Sequence, residues 1–194
     1  MGLDASPLEE TTLNIFNIPN LLSISRIVAV PIFIVLMLEP SPARALLAGI
    51  VFSLASATDW LDGHLARKWG QVTRTGKLLD PIADKILIMS ALVTLVEIRS
   101  DVVHAWIAIV IIGREFAVTG LRAIASSENI IIPAETVGKY KVGAQITAVL
   151  ALLLDYYMTN EWLRDLGSLA LWVAMILAVY SAIQYFRIFW KKLS

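Results

Sequence analysis

The sequence predicts an all-α integral membrane protein with six transmembrane helices and both termini in the cytoplasm. Three observations carry that expectation. The 194-residue chain is 58% hydrophobic, with a mean hydropathy of +0.73, which is too apolar for a soluble domain. Six stretches are apolar enough to span a bilayer, roughly 20–38, 45–62, 81–97, 106–121, 142–157 and 166–186. The segments between them alternate between rich and poor in basic residues, as the positive-inside rule requires of a chain that crosses repeatedly.

Taken in order, the first helix carries Arg26 about 10 Å beyond its start, where it snorkels or neutralises acids nearby, and Pro31, which is expected to kink it. The second runs into Asp59 and Asp62, and the third opens on Pro81, which a first helical turn tolerates. Gly76 suits the turn into that helix. The fourth holds Arg114 and Glu115 within its apolar run, and the fifth follows Lys139 and Lys141 and ends near Asp155, read as solvated at the interface. Several of these cores fall short of the ~20 residues a bilayer needs, so their helices are expected to continue past the apolar part.

Orientation follows from charge. Segments 1–19, 63–79, 122–141 and 187–194 hold ten basic residues, whereas the opposite loops hold only Arg44, Arg99 and Arg164. The first set is therefore cytoplasmic. Trp69, Tyr185 and Trp190 suit that interface, and Trp106, Tyr156, Tyr157 and Trp162 the other. Residues 1–16 form a polar segment in which Ser6-Pro7-Leu8-Glu9 resembles a helix start, compatible with a short interfacial helix. Residues 17–194 read as one domain without repeat or linker. The acidic, non-basic N-terminus argues against a cleavable signal peptide. Net charge is zero and cysteine is absent, so nucleic-acid binding is not expected and thiolate chemistry is excluded.

The richest signal lies at the junction of the second and third helices. It reads Asp59-Trp-Leu-Asp62-Gly63-His-Leu-Ala66-Arg67, then eight residues, then Gly76-Lys-Leu-Leu-Asp80-Pro-Ile-Ala-Asp84. A carboxylate at membrane depth costs on the order of 2.5–3.5 kcal/mol, and few basic residues share that depth. Asp59 and Asp62 lie about 60° apart around a helix, and Asp80 and Asp84 about 40°, so each pair shares a face. Two such pairs suit one or two hard cations with oxygen ligands. Gly63 and Ala66 leave room for a ligand near the backbone, while Arg67, Arg74 and Lys77 add positive charge suited to phosphate. The competing reading is a set of helix-end carboxylates in cytoplasmic water, which four acids at these spacings make hard to sustain. His64 and His104 are isolated and make no metal site, and no Ser-His-Asp ordering suggests a hydrolase.

The pattern Asp59-x2-Asp62-Gly63-x2-Ala66-Arg67-x8-Gly76-x3-Asp80-x3-Asp84 resembles the full signature of the CDP-alcohol phosphotransferases. That resemblance implies a six-helix membrane fold, a homodimer, and a site for Mg2+ or Mn2+, as two ions, that opens to the cytoplasm of the bacterial inner membrane. It implies transfer from a CDP-linked donor to an alcohol with release of CMP. By the same likeness Asp59, Asp62, Asp80 and Asp84 are metal ligands and Asp84 is the general base. Thr58, Asp59, Gly63, Ala66, Arg67 and Gly76 would form the donor site.

Two flanking regions resemble the phosphatidylglycerophosphate synthase branch of that family: Asn17-Ile-Pro19-Asn20 through Arg26, and Gly113-Arg114-Glu115 through Arg122 with Val137-Gly138-Lys139-Tyr-Lys141. The implied substrates are CDP-diacylglycerol and sn-glycerol 3-phosphate. The residues agree with an anionic acceptor, since Arg114, Arg122, Lys139 and Lys141 gather on the cytoplasmic side as a pocket for its phosphate. Other readings of these cations stay open: Arg114 paired with Glu115, and lysines attracted to anionic headgroups. A cardiolipin synthase with a lipid acceptor is the nearest alternative, followed by other acceptors of the family. A cation transporter is disfavoured because the acids cluster at one membrane edge.

Overall fold

The computed structural model describes residues 18–69, 74–128, 130 and 136–193, with side chains over 24–58, 82–83, 85–128, 130 and 137–192. Six helices follow one another: α1 (Ile18–Leu38), α2 (Pro42–Trp69), α3 (Arg74–Ile98), α4 (Ala105–Ser127), α5 (Thr136–Met158) and α6 (Glu161–Leu193). The described residues contain no strand. All six expected elements are present, and each outruns its apolar core at one end or both. At ~1.5 Å per residue, the 28 residues of α2 reach about 42 Å, beyond the ~30 Å hydrocarbon layer. Polar residues at its C-terminal end can thus sit in a helix and still lie outside lipid.

That extension changes the junction of α2 and α3. The segment 63–79, expected as a cytoplasmic connection, is helical on both sides, and only 70–73 separate the two helices. Pro81 correspondingly falls seven residues beyond the start of α3 rather than in its first turn, and Gly76 lies inside the helix. Hydropathy marks the part of a helix that lipid covers. Backbone hydrogen bonding continues past it, because an unpaired backbone group is costly at any depth near the membrane.

Helix starts are set locally. Pro42 opens α2, where its missing N–H is no loss, and the Ser41 hydroxyl accepts a hydrogen bond from the Arg44 N–H at 3.3 Å. Asn160 opens α6 in the same manner, its Oδ1 accepting from the N–H groups of Trp162 and Leu163 at 3.0 and 3.4 Å. Just before it, Thr159 takes φ 51°, and its N–H donates to the Asp155 carbonyl at 2.7 Å. A left-handed residue closing a helix this way turns α5 into α6 within two residues.

The packing order follows from these links. α5 and α6 share the most extensive interface, α1 lies against both α2 and α3, α2 also packs on α5, and α4 packs mainly on α6. The centre is filled by Phe33 and Phe52, with rings 6.2 Å apart, and by Leu87, Leu92, Leu95, Ile107, Ile111, Leu152, Leu153 and Leu171. Buried alanines such as Ala45, Ala48, Ala148 and Ala174 let the helices approach closely. Outward-facing Val35, Leu54, Val93, Ile109 and Leu169 are exposed, an apolar surface that water does not tolerate over so wide an area. Two helical segments, 137–158 and 161–192, are long and apolar enough to cross a membrane, and shorter apolar stretches occupy 24–38 and 42–58.

One end of the bundle is fastened by charge. Arg99 follows α3 and pairs with Asp155 of α5 and, at 3.0 Å, with Asp101. The Asp155 side chain is only 6% exposed, so its expected place in interfacial solvent is replaced by a buried ion pair. The hydrogen bond from Arg99 holds the Asp101 carboxyl below its ordinary range. Above this end Trp106 meets Trp172 edge-on, 5.5 Å between centroids.

The α5–α6 interface depends on Gly167. A Cβ there would stand 2.6 Å from Leu152 Cγ and 3.3 Å from the Leu152 backbone nitrogen. Leu152 is fully buried and has nowhere to retreat. Gly167→Ala is therefore expected to cost about 1–3 kcal/mol through overpacking, read as a lowered Tm of the detergent-solubilised protein.

Candidate active site

Helix register brings the aspartates to one level. Asp59 lies ten residues before the end of α2, and Asp84 ten residues after the start of α3; Asp62 and Asp80 stand seven and six residues from the same ends. Only 70–73 separate the two helices, so these counts put the four aspartates at similar distances from the junction, about 15 Å of helix for the inner pair. The side chains of Asp59, Asp62, Gly63, Ala66, Arg67, Gly76, Asp80 and Asp84 lie outside the described residues. Among the described ones, no three acids or histidines gather as metal ligands. Thr58, at the inner edge of the motif, donates its hydroxyl to the Ala55 carbonyl at 2.7 Å.

One turn deeper is a cavity of about 330 Å³. Ser56 lines it from α2, one turn before Asp59. From α3 come Lys85, next to Asp84, and Leu87 and Ile88, one turn further on. Glu115 and Arg122 of α4, Lys141 and Gln145 of α5, and Arg26 of α1 complete the polar lining. Among the described residues, four basic side chains and one carboxylate thus line it. Such basic groups suit an anion whose oxygens accept charge-assisted hydrogen bonds.

The basic residues foreseen as an acceptor pocket separate into distinct roles. Arg122 and Lys141 line the cavity, the second only 4% exposed and bonded to Glu115. Lys139 is exposed on α5 and does not line it. Arg114 also stays off the lining and turns to α6, donating to the Ala178 carbonyl at 3.2 Å and to Ser181 Oγ at 2.6 Å. Its remaining nitrogen pairs with Glu115 at 3.0 Å, and its guanidinium lies 6.0 Å from the Tyr185 ring centre. The pairing weighed against a pocket role for Arg114 is thus present.

Lys85 and Gln145 are further polar residues of the cavity. The Lys85 ammonium donates to Thr119 Oγ1, which itself donates to the Glu115 carbonyl at 2.6 Å. Gln145 drew no notice at all, although it stands one turn beyond Lys141 on α5. The adjacent opposite charges Arg114-Glu115 within an apolar helix were the available sign, since ionisable groups at such depth pair or serve a site.

The CDP-alcohol phosphatidyltransferase family model matches residues 16–180. The chain belongs to the CDP-alcohol phosphatidyltransferase family. It is 43% identical over 190 residues to the CDP-diacylglycerol–glycerol-3-phosphate 3-phosphatidyltransferase of Bacillus subtilis, covering 92% of this chain and 97% of that one. Proteins of the same name from Haemophilus influenzae and Rickettsia bellii are 37% and 38% identical, covering 89% and 88% of this chain and 93% and 94% of theirs. Members of the CDP-alcohol phosphatidyltransferase family are generally divalent-metal dependent. The four aspartates of α2 and α3 are an all-oxygen donor set, the chemistry a hard cation takes. With the apolar helices, family membership makes this a membrane protein.

The Arg114 network predicts a stability effect. Arg114→Ala removes both bonds to α6 and one of the two cations on a buried carboxylate. A loss of about 3 kcal/mol is expected, measured as a lower Tm in detergent.

Proposed function

We propose that this chain transfers the phosphatidyl group of CDP-diacylglycerol to sn-glycerol 3-phosphate, yielding phosphatidylglycerol phosphate and CMP. The observation that carries this reading is the cavity, lined by Lys85, Arg122 and Lys141 a single turn from the aspartate motif. An acceptor that brings its own phosphate matches those cations. The names of the relatives, which span most of the chain, support the same substrates.

The catalytic domain comprises residues 17–194, crossing the bacterial inner membrane six times with both termini and the active site facing the cytoplasm. The ten-to-three distribution of basic residues supports this orientation. The family resemblance supports a homodimer. Asp59, Asp62, Asp80 and Asp84 hold Mg2+ or Mn2+, as two ions. Such ions, when bound, neutralise charge on the donor's phosphates. Thr58, Asp59, Gly63, Ala66, Arg67 and Gly76 form the donor side, where small residues admit the cytidine diphosphate and Arg67 meets its charge. Arg122, Lys141 and Lys85 receive the acceptor phosphate. Lys139 adds charge at the cytoplasmic end of α5, and Arg114 acts indirectly by fixing Glu115.

The acceptor's 1-hydroxyl gives its proton to the Asp84 carboxylate as its oxygen bonds to the phosphorus that bears diacylglycerol. The bond from that phosphorus to the bridging oxygen breaks, and its electron pair leaves with CMP. The test is CMP release from CDP-diacylglycerol by purified protein, with glycerol 3-phosphate, phosphatidylglycerol, myo-inositol phosphate and serine offered in parallel. Turnover with glycerol 3-phosphate alone is expected. Turnover only with another acceptor would overturn the choice of substrate.

Asp84→Asn should bind CDP-diacylglycerol about as well as the wild type yet release no CMP, and chelation of divalent metal should silence the wild type until Mg2+ or Mn2+ is restored. Wild-type turnover in Asp84→Asn would remove that residue from the mechanism. Arg122→Glu is expected to raise the KM for glycerol 3-phosphate by about tenfold or more, the scale of one charge-assisted hydrogen bond, while the donor KM stays within about twofold. Equal effects on both would count against a phosphate site at Arg122.

A further inference from the structure

Gln145 is 1% exposed, and its side-chain Nε2 has no hydrogen-bond partner among the described residues. It nevertheless lines the cavity, one turn deeper along α5 than Lys141. A buried amide nitrogen without a partner is costly in a finished core. Its presence is explained when the partner arrives with a ligand. The groups around it narrow the chemistry. Lys85, Arg122 and Lys141 are donors only, and an acceptor's phosphate, which offers only acceptor oxygens, is drawn to them before any neutral group. An amide presents a donor and an acceptor side by side, as a hydroxyl does. The natural counterpart of Gln145 is therefore an alcohol group on the same small molecule.

We propose that Gln145 is a specificity-determining residue that hydrogen-bonds the non-reacting hydroxyl of the acceptor, and so selects a phosphorylated diol over a phosphorylated mono-alcohol. The assignment rests on the functional reading above and adds to it the part of the acceptor that is read apart from its phosphate. Glycerol 3-phosphate has two hydroxyls: one reacts, and the 2-hydroxyl is left for Gln145. Along α5 the two roles are one turn apart, with Lys141 nearer the start of the helix and the neutral amide about 6 Å further in.

The decisive comparison uses 3-hydroxypropyl phosphate, which keeps the phosphate and the reacting hydroxyl but lacks the 2-hydroxyl. Purified full-length protein is assayed for CMP release from CDP-diacylglycerol with each acceptor, as the wild type and as Gln145→Met, which preserves length and removes both polar atoms. The wild type should favour glycerol 3-phosphate in kcat/KM by about tenfold or more, because the analogue leaves a buried amide unpaired. Gln145→Met should lower kcat/KM for glycerol 3-phosphate and bring the two acceptors within about twofold of each other, with the donor KM unchanged. Its Tm without acceptor should equal or exceed that of the wild type, since an unpartnered polar atom has been replaced by an apolar one. A purely structural glutamine would give the reverse. Equal use of both acceptors by the wild type, which needs no variant to fold, would overturn the assignment alone, as would undiminished discrimination by Gln145→Met. Failure of the wild type to use glycerol 3-phosphate at all would overturn the functional reading and this assignment together.

Discussion

A carboxylate cannot stay charged inside an apolar bundle unless the bundle supplies its partners, and at Glu115 those partners come from two directions. Arg114 approaches from the adjoining position on α4 and continues to α6, while Lys141 reaches across from α5. Removing either cation would leave a buried charge whose desolvation the rest of the site could not offset. The same carboxylate therefore sets the positions of α4, α5 and α6 relative to one another. Thr119, one turn from Glu115, extends the arrangement to Lys85 on α3. Four helices meet here through polar contacts whose geometry is far narrower than that of apolar packing, and the walls of the cavity are held by them.

The opposite end of the bundle solves the same problem more simply. Arg99 leaves α3 and finds Asp155 on α5 and Asp101 in its own turn, so two helices that contact each other only sparingly along their lengths are tied where they end. Between these two polar clamps the core is almost wholly aliphatic and aromatic. Its small residues set the interhelical distances, and Gly167 against Leu152 is the tightest example.

Hydropathy made the number and order of the helices legible, because each must present enough apolar surface to be covered by lipid or by its neighbours. It did not reveal where α2 ends or α3 begins, since a helix continues through Arg67 and Trp69, and again from Arg74, on backbone hydrogen bonding alone. The aspartate motif was legible for a different reason: its spacing is local, and helical period alone puts each pair on a shared face. The cavity was not, because Lys85, Glu115 and Gln145 are brought together by the packing of three helices and no local period connects them. Arg114 and Lys139 show the complementary difficulty. Both carry the charge expected of a pocket, and only the direction of Arg114 toward Ser181 and the exposure of Lys139 distinguish them from Arg122 and Lys141.

The two-residue turn at Thr159 and Asn160 joins the two segments that, among the described residues, are apolar and long enough to enter a bilayer unaided. So short a connection lets the pair cross as one hairpin, with α5 already presenting the face on which α2 packs.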